Sequence, residues 1–60
     1  MKAYAKFVRT IDADTGIILG KPGATMRYNA GLRVKFATPE LRDAWVEQMN
    51  AAFGVCVEVA

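Results

Sequence analysis

The sequence predicts an α+β fold: a three- to four-stranded, mainly antiparallel sheet in the order β-β-β-α-β, covered on one face by a single helix over about residues 39–52. Three observations lead there. Residues 26–37 alternate with a period of two, placing Met26, Tyr28, Ala30, Leu32, Val34 and Phe36 on one face and Arg27, Asn29, Gly31, Arg33 and Lys35 on the other. Thr38-Pro39-Glu40 then opens a helix: Thr38 suits the N-cap, Pro39 the first helical position and Glu40 the positive end of the helix dipole. Finally, Gly54 stops that helix, and Val55-Cys56-Val57-Glu58-Val59 alternates again as a last strand.

In chain order, residues 3–11 are rich in aromatic and β-branched types and form a first strand. Ala3, Ala5, Phe7 and Ile11 then face the helix, while Lys2, Tyr4, Lys6, Val8 and Thr10 face away; Arg9 breaks this register unless it lies at an edge or beside a bulge. Asp12-Ala13-Asp14-Thr15-Gly16 has turn chemistry, and Ile17-Ile18-Leu19 follows as a short strand, so the first 20 residues read as a hairpin. Gly20-Lys21-Pro22-Gly23 is a break, because proline donates no ladder hydrogen bond. Gly31 marks a bulge or interruption in the long alternating stretch, with pairing expected from Leu32 onward. On the helix, Leu41, Ala44, Trp45, Gln48, Met49 and Ala52 share the inward side with Phe53 at its rim; Glu40, Asp43 and Glu47 lie opposite. Val55, Val57 and Val59 point inward from the last strand, sending Cys56 and Glu58 outward. The place of that strand in the sheet is not legible from periodicity.

Sixty residues make one domain, residues 1–60. A chain this short buries only about 60% of its unfolded surface, so its largest ring, Trp45, belongs in the core. With 53% apolar and 23% charged residues the composition is that of a globular chain, not a disordered one. No run approaches the roughly 18 apolar residues of a membrane span, and no signal-peptide core is present, so a cytoplasmic protein without membrane attachment is expected. A single cysteine makes no internal disulfide, and with no histidine there is no structural zinc site; neither metal nor cofactor is expected.

The net charge of +2 conceals an asymmetry. Seven of the eight basic residues (Lys2, Lys6, Arg9, Lys21, Arg27, Arg33 and Lys35) stand in the first 35 positions against Asp12 and Asp14, which leaves +5 there. Arg42 against Glu40, Asp43, Glu47 and Glu58 leaves −3 in the remainder. One helix covers one face of a sheet, so the other face meets solvent or a partner. Alternation assigns it Lys2, Tyr4, Lys6, Val8, Arg33 and Lys35, together with Arg27, and Lys2, Tyr4, Lys6, Arg27, Arg33 and Lys35 are the candidate binding residues. Three readings of this face stand side by side: a solvated surface whose lysines discourage aggregation, a docking face for an acidic protein, and a platform for single-stranded nucleic acid with Tyr4 as a stacking ring. Self-association through Val8, Tyr4 and an unpaired strand edge, giving a homodimer, is a further arrangement open to so small a domain.

Catalytic motifs are absent. Asp14-Thr15-Gly16 matches the aspartic-protease tripeptide but is a turn here, since such a site needs two copies and a cleft. Asp12 and Asp14 are too few for a calcium loop, and Gly20-Lys21-Pro22-Gly23 lacks the spacing and Lys-Ser/Thr ending of a phosphate loop. Cys56 has no histidine to activate it. The expectation is a protein that is not an enzyme.

The stretch Leu32-Arg33-Val34-Lys35-Phe36-Ala37-Thr38-Pro39-Glu40-Leu41-Arg42-Asp43-Ala44-Trp45, followed by Gly54-Val55-Cys56-Val57-Glu58-Val59, resembles the strand-Ala-Thr-helix-Gly-strand arrangement of small phage-encoded host-takeover proteins, among them inhibitors of bacterial RNA polymerase and some anti-CRISPR proteins. The resemblance is architectural, covers about half of the chain (within residues 32–59) and carries over no binding residue by position. It implies a small non-enzymatic inhibitor that docks on a larger bacterial protein or complex in the host cytoplasm. Direct binding of nucleic acid by the same basic face is the alternative.

Overall fold

A computed structural model describes residues 2–14, 23 and 25–60. It contains strands β1 (Ala3–Phe7), β2 (Ile11–Ala13), β3 (Met26–Tyr28) and β4 (Arg33–Phe36), helix α1 (Pro39–Phe53), and strand β5 (Val57–Val59). The fold is α+β: a three-stranded antiparallel sheet ordered β4-β1-β5 with the helix packed against it, and a two-stranded sheet of β2 and β3.

The two alternating stretches of the sequence find each other. β1 pairs with β4 (Ala3↔Phe36 through Lys6↔Arg33), and β2 with β3 (Ile11↔Tyr28, Asp12↔Arg27, Ala13↔Met26). Both sets keep the same register, so residues 3–13 and 26–36 form one antiparallel ribbon with a bend and no slip. The bend falls at residues 8–10 on one side and 29–32 on the other. Gly31 takes a φ of +92°, which disfavours any residue with a Cβ, and its N–H donates to the Phe7 carbonyl at 2.7 Å. The Phe7 N–H donates to Leu32, and the Ala30 N–H to the Thr10 hydroxyl at 3.1 Å, bridging the bend. The interruption expected at Gly31 is thus present. Two expectations change: Asp12 and Ala13 are strand residues rather than a turn, and the neighbours of β1 are β4 and β5 rather than residues 17–19. Those residues, with Thr15, Gly16 and the Gly20-Lys21-Pro22 segment, lie outside the described part.

α1 starts as its sequence dictates. Thr38 is extended, and its hydroxyl accepts from the Leu41 N–H at 3.2 Å, with Pro39 in the first turn. The helix carries the chain from one edge of β1 to the other, where β5 pairs antiparallel with it (Ala5↔Val59, Lys6↔Glu58, Phe7↔Val57). β4 and β5 therefore run parallel to each other with β1 between them. This is a location that side-chain periodicity does not encode.

Phe7, Ile11, Ala13, Met49, Cys56 and Val57 form the buried core, with Tyr28, Val34, Trp45, Val46 and Phe53 packed partly buried around it. Full burial of a side chain the size of Phe7, Met49 or Val57 contributes roughly 1.5–3 kcal/mol. Several inward assignments need correction: on the alternating stretch Met26 (55% exposed), Ala30 and Leu32 (45% exposed) stay open to solvent, the last two because they lie in the bend, where the pleat is interrupted. α1 is rotated relative to its apolar pattern: Arg42, Trp45, Val46, Met49, Asn50 and Phe53 turn toward the sheet, whereas Leu41 (57% exposed), Ala44, Gln48 and Ala52 face out. Small alanines bury little area, and the bulkier Val46 and the hydrogen-bonding Asn50 take the inward side. Cys56 is completely buried and Val55 exposed, because β5 begins only at Val57 and the residues before it do not follow the pleat; Val59, in β5 opposite Ala5, is exposed as well. Trp45, expected at the centre, is half-buried.

Two polar side chains complete the joint between helix and sheet. Asn50 Oδ1 accepts from the N–H groups of Cys56 (3.0 Å) and Val57 (3.1 Å), and its Nδ2 donates to the Val57 carbonyl (3.2 Å). It does what a neighbouring strand would do at that edge. Arg9 occupies a helix-side position in the alternation and reaches across to the end of α1, donating from Nε to the Val55 carbonyl (2.9 Å) and from Nη2 to the Phe53 carbonyl (2.7 Å). A cation at the negative end of the helix dipole is favourable, and α1 has no basic residue in its own last turn. Gly54, at φ +77°, lets the guanidinium approach; a Cβ there would stand 3.3 Å from Nη2.

Asn50→Ala strands two N–H groups and a carbonyl at the start of β5, a loss of roughly 2–3 kcal/mol. Thermal denaturation should show a midpoint lower by on the order of 10 °C or more, with Asn50→Asp, which keeps the acceptor, falling between. An unchanged midpoint in Asn50→Ala would show that water replaces the amide at no cost.

Candidate functional site

No pocket indents the described surface, so the side of sheet β4-β1-β5 turned away from α1 is the extended surface on which a site is built. Its rows follow from the register. Lys6 at the centre lies between Arg33 on β4 and Glu58 on β5, and Tyr4 lies beside Lys35. Lys2, just before β1, is exposed. Cross-strand neighbours on one face stand close enough to interact, and both contacts seen here are of that kind. Lys6 Nζ is 3.3 Å from Glu58 Oε1, and the Arg33 guanidinium lies over the Tyr4 ring, 5.0 Å from its centroid. The first is an exposed pair worth about 0–1 kcal/mol. The second contributes on the order of 0.5–1 kcal/mol at such a site and holds Arg33 flat against the sheet.

The structure brings four of the six sequence-predicted binding residues together, Tyr4, Lys6, Arg33 and Lys35, and leaves Lys2 exposed just before β1. Arg27 is not one of the group. It stands on β3, beyond the bend, with Nε 2.9 Å from Asp12 Oδ1 and Nη2 3.1 Å from Oδ2. That hydrogen-bonded pair holds the Asp12 carboxyl below the ordinary carboxylate range and raises Arg27. The stabilisation it contributes is present at neutral pH and lost as pH falls through the lowered Asp12 value. The charge of Arg27 is thus matched within its own strand pair, a pairing that the assignment of Asp12 to a turn concealed. Glu58 is the acid that alternation places on the open face, but its contact with Lys6 depends on β5 lying beside β1.

Electrostatically the face is lopsided. Among the described residues the ion pairs are Lys6–Glu58, Arg27–Asp12 and Arg42–Asp43, so Lys2, Arg33 and Lys35 keep uncompensated charge on or beside one sheet surface. The acids Glu40, Asp43 and Glu47 are exposed on α1, across the molecule, and Asp43 is engaged by its neighbour Arg42 at 3.0 Å. Two oppositely charged sides of one small domain result. No helix among the described residues is long and apolar enough to cross a membrane.

Comparison with protein-family models, curated proteins and solved structures finds no match to this chain. Its function rests on its own geometry.

Cys56 is the thiol nucleophile of the sequence, and its surroundings disarm it. The side chain is fully buried, with Sγ 3.9 Å from the Met49 carbonyl and 3.8 Å from Asn50 Oδ1. Burial pushes the thiol up, outweighing the opposing influence of Arg9. Alkylation of the native protein should accordingly be slow at neutral pH and accelerate in denaturant as the core opens. Rapid stoichiometric labelling of the native state would show that the thiol is accessible and reactive.

Proposed function

We propose that this protein is a small non-enzymatic binding protein, of the phage inhibitor type, that docks on an acidic surface of a larger bacterial protein through the open face of sheet β4-β1-β5. The observation that carries this reading is the pair of unmatched cations Arg33 and Lys35, with exposed Lys2 just before β1, on a sheet whose other face is committed to the core. Such a surface favours approach of a negatively charged protein, and its strand-borne side chains lose little freedom on binding. The host bacterial cytoplasm is the compartment where this reading places it.

Nucleic-acid recognition needs an open ring for base stacking. The Tyr4 ring is half-buried and has the Arg33 guanidinium over it, which favours the protein partner.

Affinity capture from bacterial lysate, with and without nuclease, tests the proposal in combination with the double variant Arg33→Glu/Lys35→Glu. The wild type should retain one stoichiometric protein after nuclease treatment, and the double variant, folded by circular dichroism, should lose it with an affinity drop of about a hundredfold, the effect of roughly 2.7 kcal/mol. Equal capture by both proteins would contradict docking by this face. Recovery that vanishes with nuclease would assign the face to phosphate recognition.

A further inference from the structure

The two edges of the three-stranded sheet are finished differently. At the β5 edge, the Val57 N–H and C=O turn away from β1 and are held by the side chain of Asn50. At the β4 edge nothing described performs that service. The Phe7 N–H bonds to the Leu32 carbonyl and Ala5 stands opposite Val34, so Leu32, Val34 and Phe36 direct their main-chain groups toward β1. The intervening Arg33 and Lys35 then direct theirs outward, along the free side of the sheet. The residues that present bare backbone at this edge are the same ones whose side chains supply unmatched positive charge to the open face. On the helix side of the same strand, Val34 and Phe36 are only half-buried, and Phe36 lies 5.2 Å from Trp45, itself half-buried, so an apolar shelf continues to the edge.

We propose that the outer edge of β4 binds an extended acidic segment of the partner protein by antiparallel strand addition. Acidic residues of that segment stand opposite Arg33 and Lys35 and exchange main-chain hydrogen bonds with them; the alternating residues are apolar and cover Val34, Phe36 and Trp45. Main-chain pairing supplies affinity in this mode of recognition and the alternating side chains supply specificity. Charge selects the occupant. A second copy pairing through β4 would set Arg33 and Lys35 against their own equivalents, and like charges directly opposed across a strand pair are destabilising. An acidic strand removes that repulsion. This inference rests on the docking reading above and specifies the element by which docking occurs.

The probe is a capped peptide of about nine residues, the length of a long strand, alternating Glu and Val. Two controls are N-methylated, one at the Glu residues and one at the Val residues. In the antiparallel arrangement the Glu amides face β4 and the Val amides face away. Titrations followed by amide NMR should show the parent and the Val-methylated peptide shifting the Arg33 and Lys35 amides and slowing their exchange. The Glu-methylated peptide should bind at least tenfold more weakly. Arg33→Gln/Lys35→Gln should weaken the parent peptide as well, while leaving the spectrum of the free protein dispersed. If all three peptides bind alike, strand addition is overturned and docking through side-chain charge alone stands. If none binds, or if shifts fall on α1 rather than β4, strand addition is likewise overturned, and the docking reading answers to the lysate capture independently.

Discussion

Phe7 of β1 touches both strands of the bend, the helix and the last strand, and so ties every element of the fold to its neighbours. Its backbone closes the end of β1 against the bend in the opposite strand, giving its N–H to Leu32 and taking that of Gly31. Its ring is stacked on Tyr28 of β3 at 5.0 Å and meets the edge of Trp45 of α1 at 5.8 Å, while Val57 of β5 is its cross-strand partner. Both sheets, the helix and the last strand thus meet at one side chain that is 1% exposed. In a chain of this size few other apolar side chains are both large and fully enclosed. Aromatic pairs of this geometry add about 0.5–1.5 kcal/mol each to what their burial supplies.

Because the ribbon folds around that ring, its apolar alternation is committed to a single side. Ala3, Ala5, Phe7, Ile11 and Ala13 are all buried, and their alternating neighbours are exposed or half-buried. The small side chains of Ala3 and Ala5 let α1 approach the sheet closely, and Arg9 and Asn50 then satisfy backbone groups that the short helix and the three-residue β5 leave open. The outward side is left to charge, and its cations are held on strands rather than on loops. The proposed docking function is therefore a consequence of how the core is made, since the helix that completes the core covers one face only.

Much of the fold was legible because period-two alternation and helix capping are local. The strand around Arg33–Phe36, the helix start at Thr38-Pro39, its end at Gly54 and the inward faces of Ala3, Ala5, Phe7 and Ile11 all follow from neighbouring residues. What was not legible depends on contacts between distant ones. The division of residues 3–13 at Val8-Arg9-Thr10 comes from the bend opposite Ala30-Gly31, and the insertion of β5 beside β1 is a matter of topology. The rotation of α1 is decided by what Val46 and Asn50 meet, and Cys56 is buried because β5 starts at Val57, two residues later than its alternation suggests. In the candidate site the same division holds: Tyr4, Lys6, Arg33 and Lys35 were readable as one face, whereas the removal of Arg27 by Asp12 and the bridge from Glu58 to Lys6 needed the strand pairing.

The two halves of the ribbon, the helix and β5 form one cooperative unit through Phe7, which presents the cationic face ready-made. Native-state amide hydrogen exchange across a denaturant series measures this directly. Amides on both sides of the bend, the hydrogen-bonded ones of the β1–β4 pair on one and those of the β2–β3 pair on the other, should converge on a common opening free energy equal to that of global unfolding. A β2–β3 pair that opens separately at much lower free energy, with β1 and α1 still protected, would show that Phe7 does not couple the two sheets.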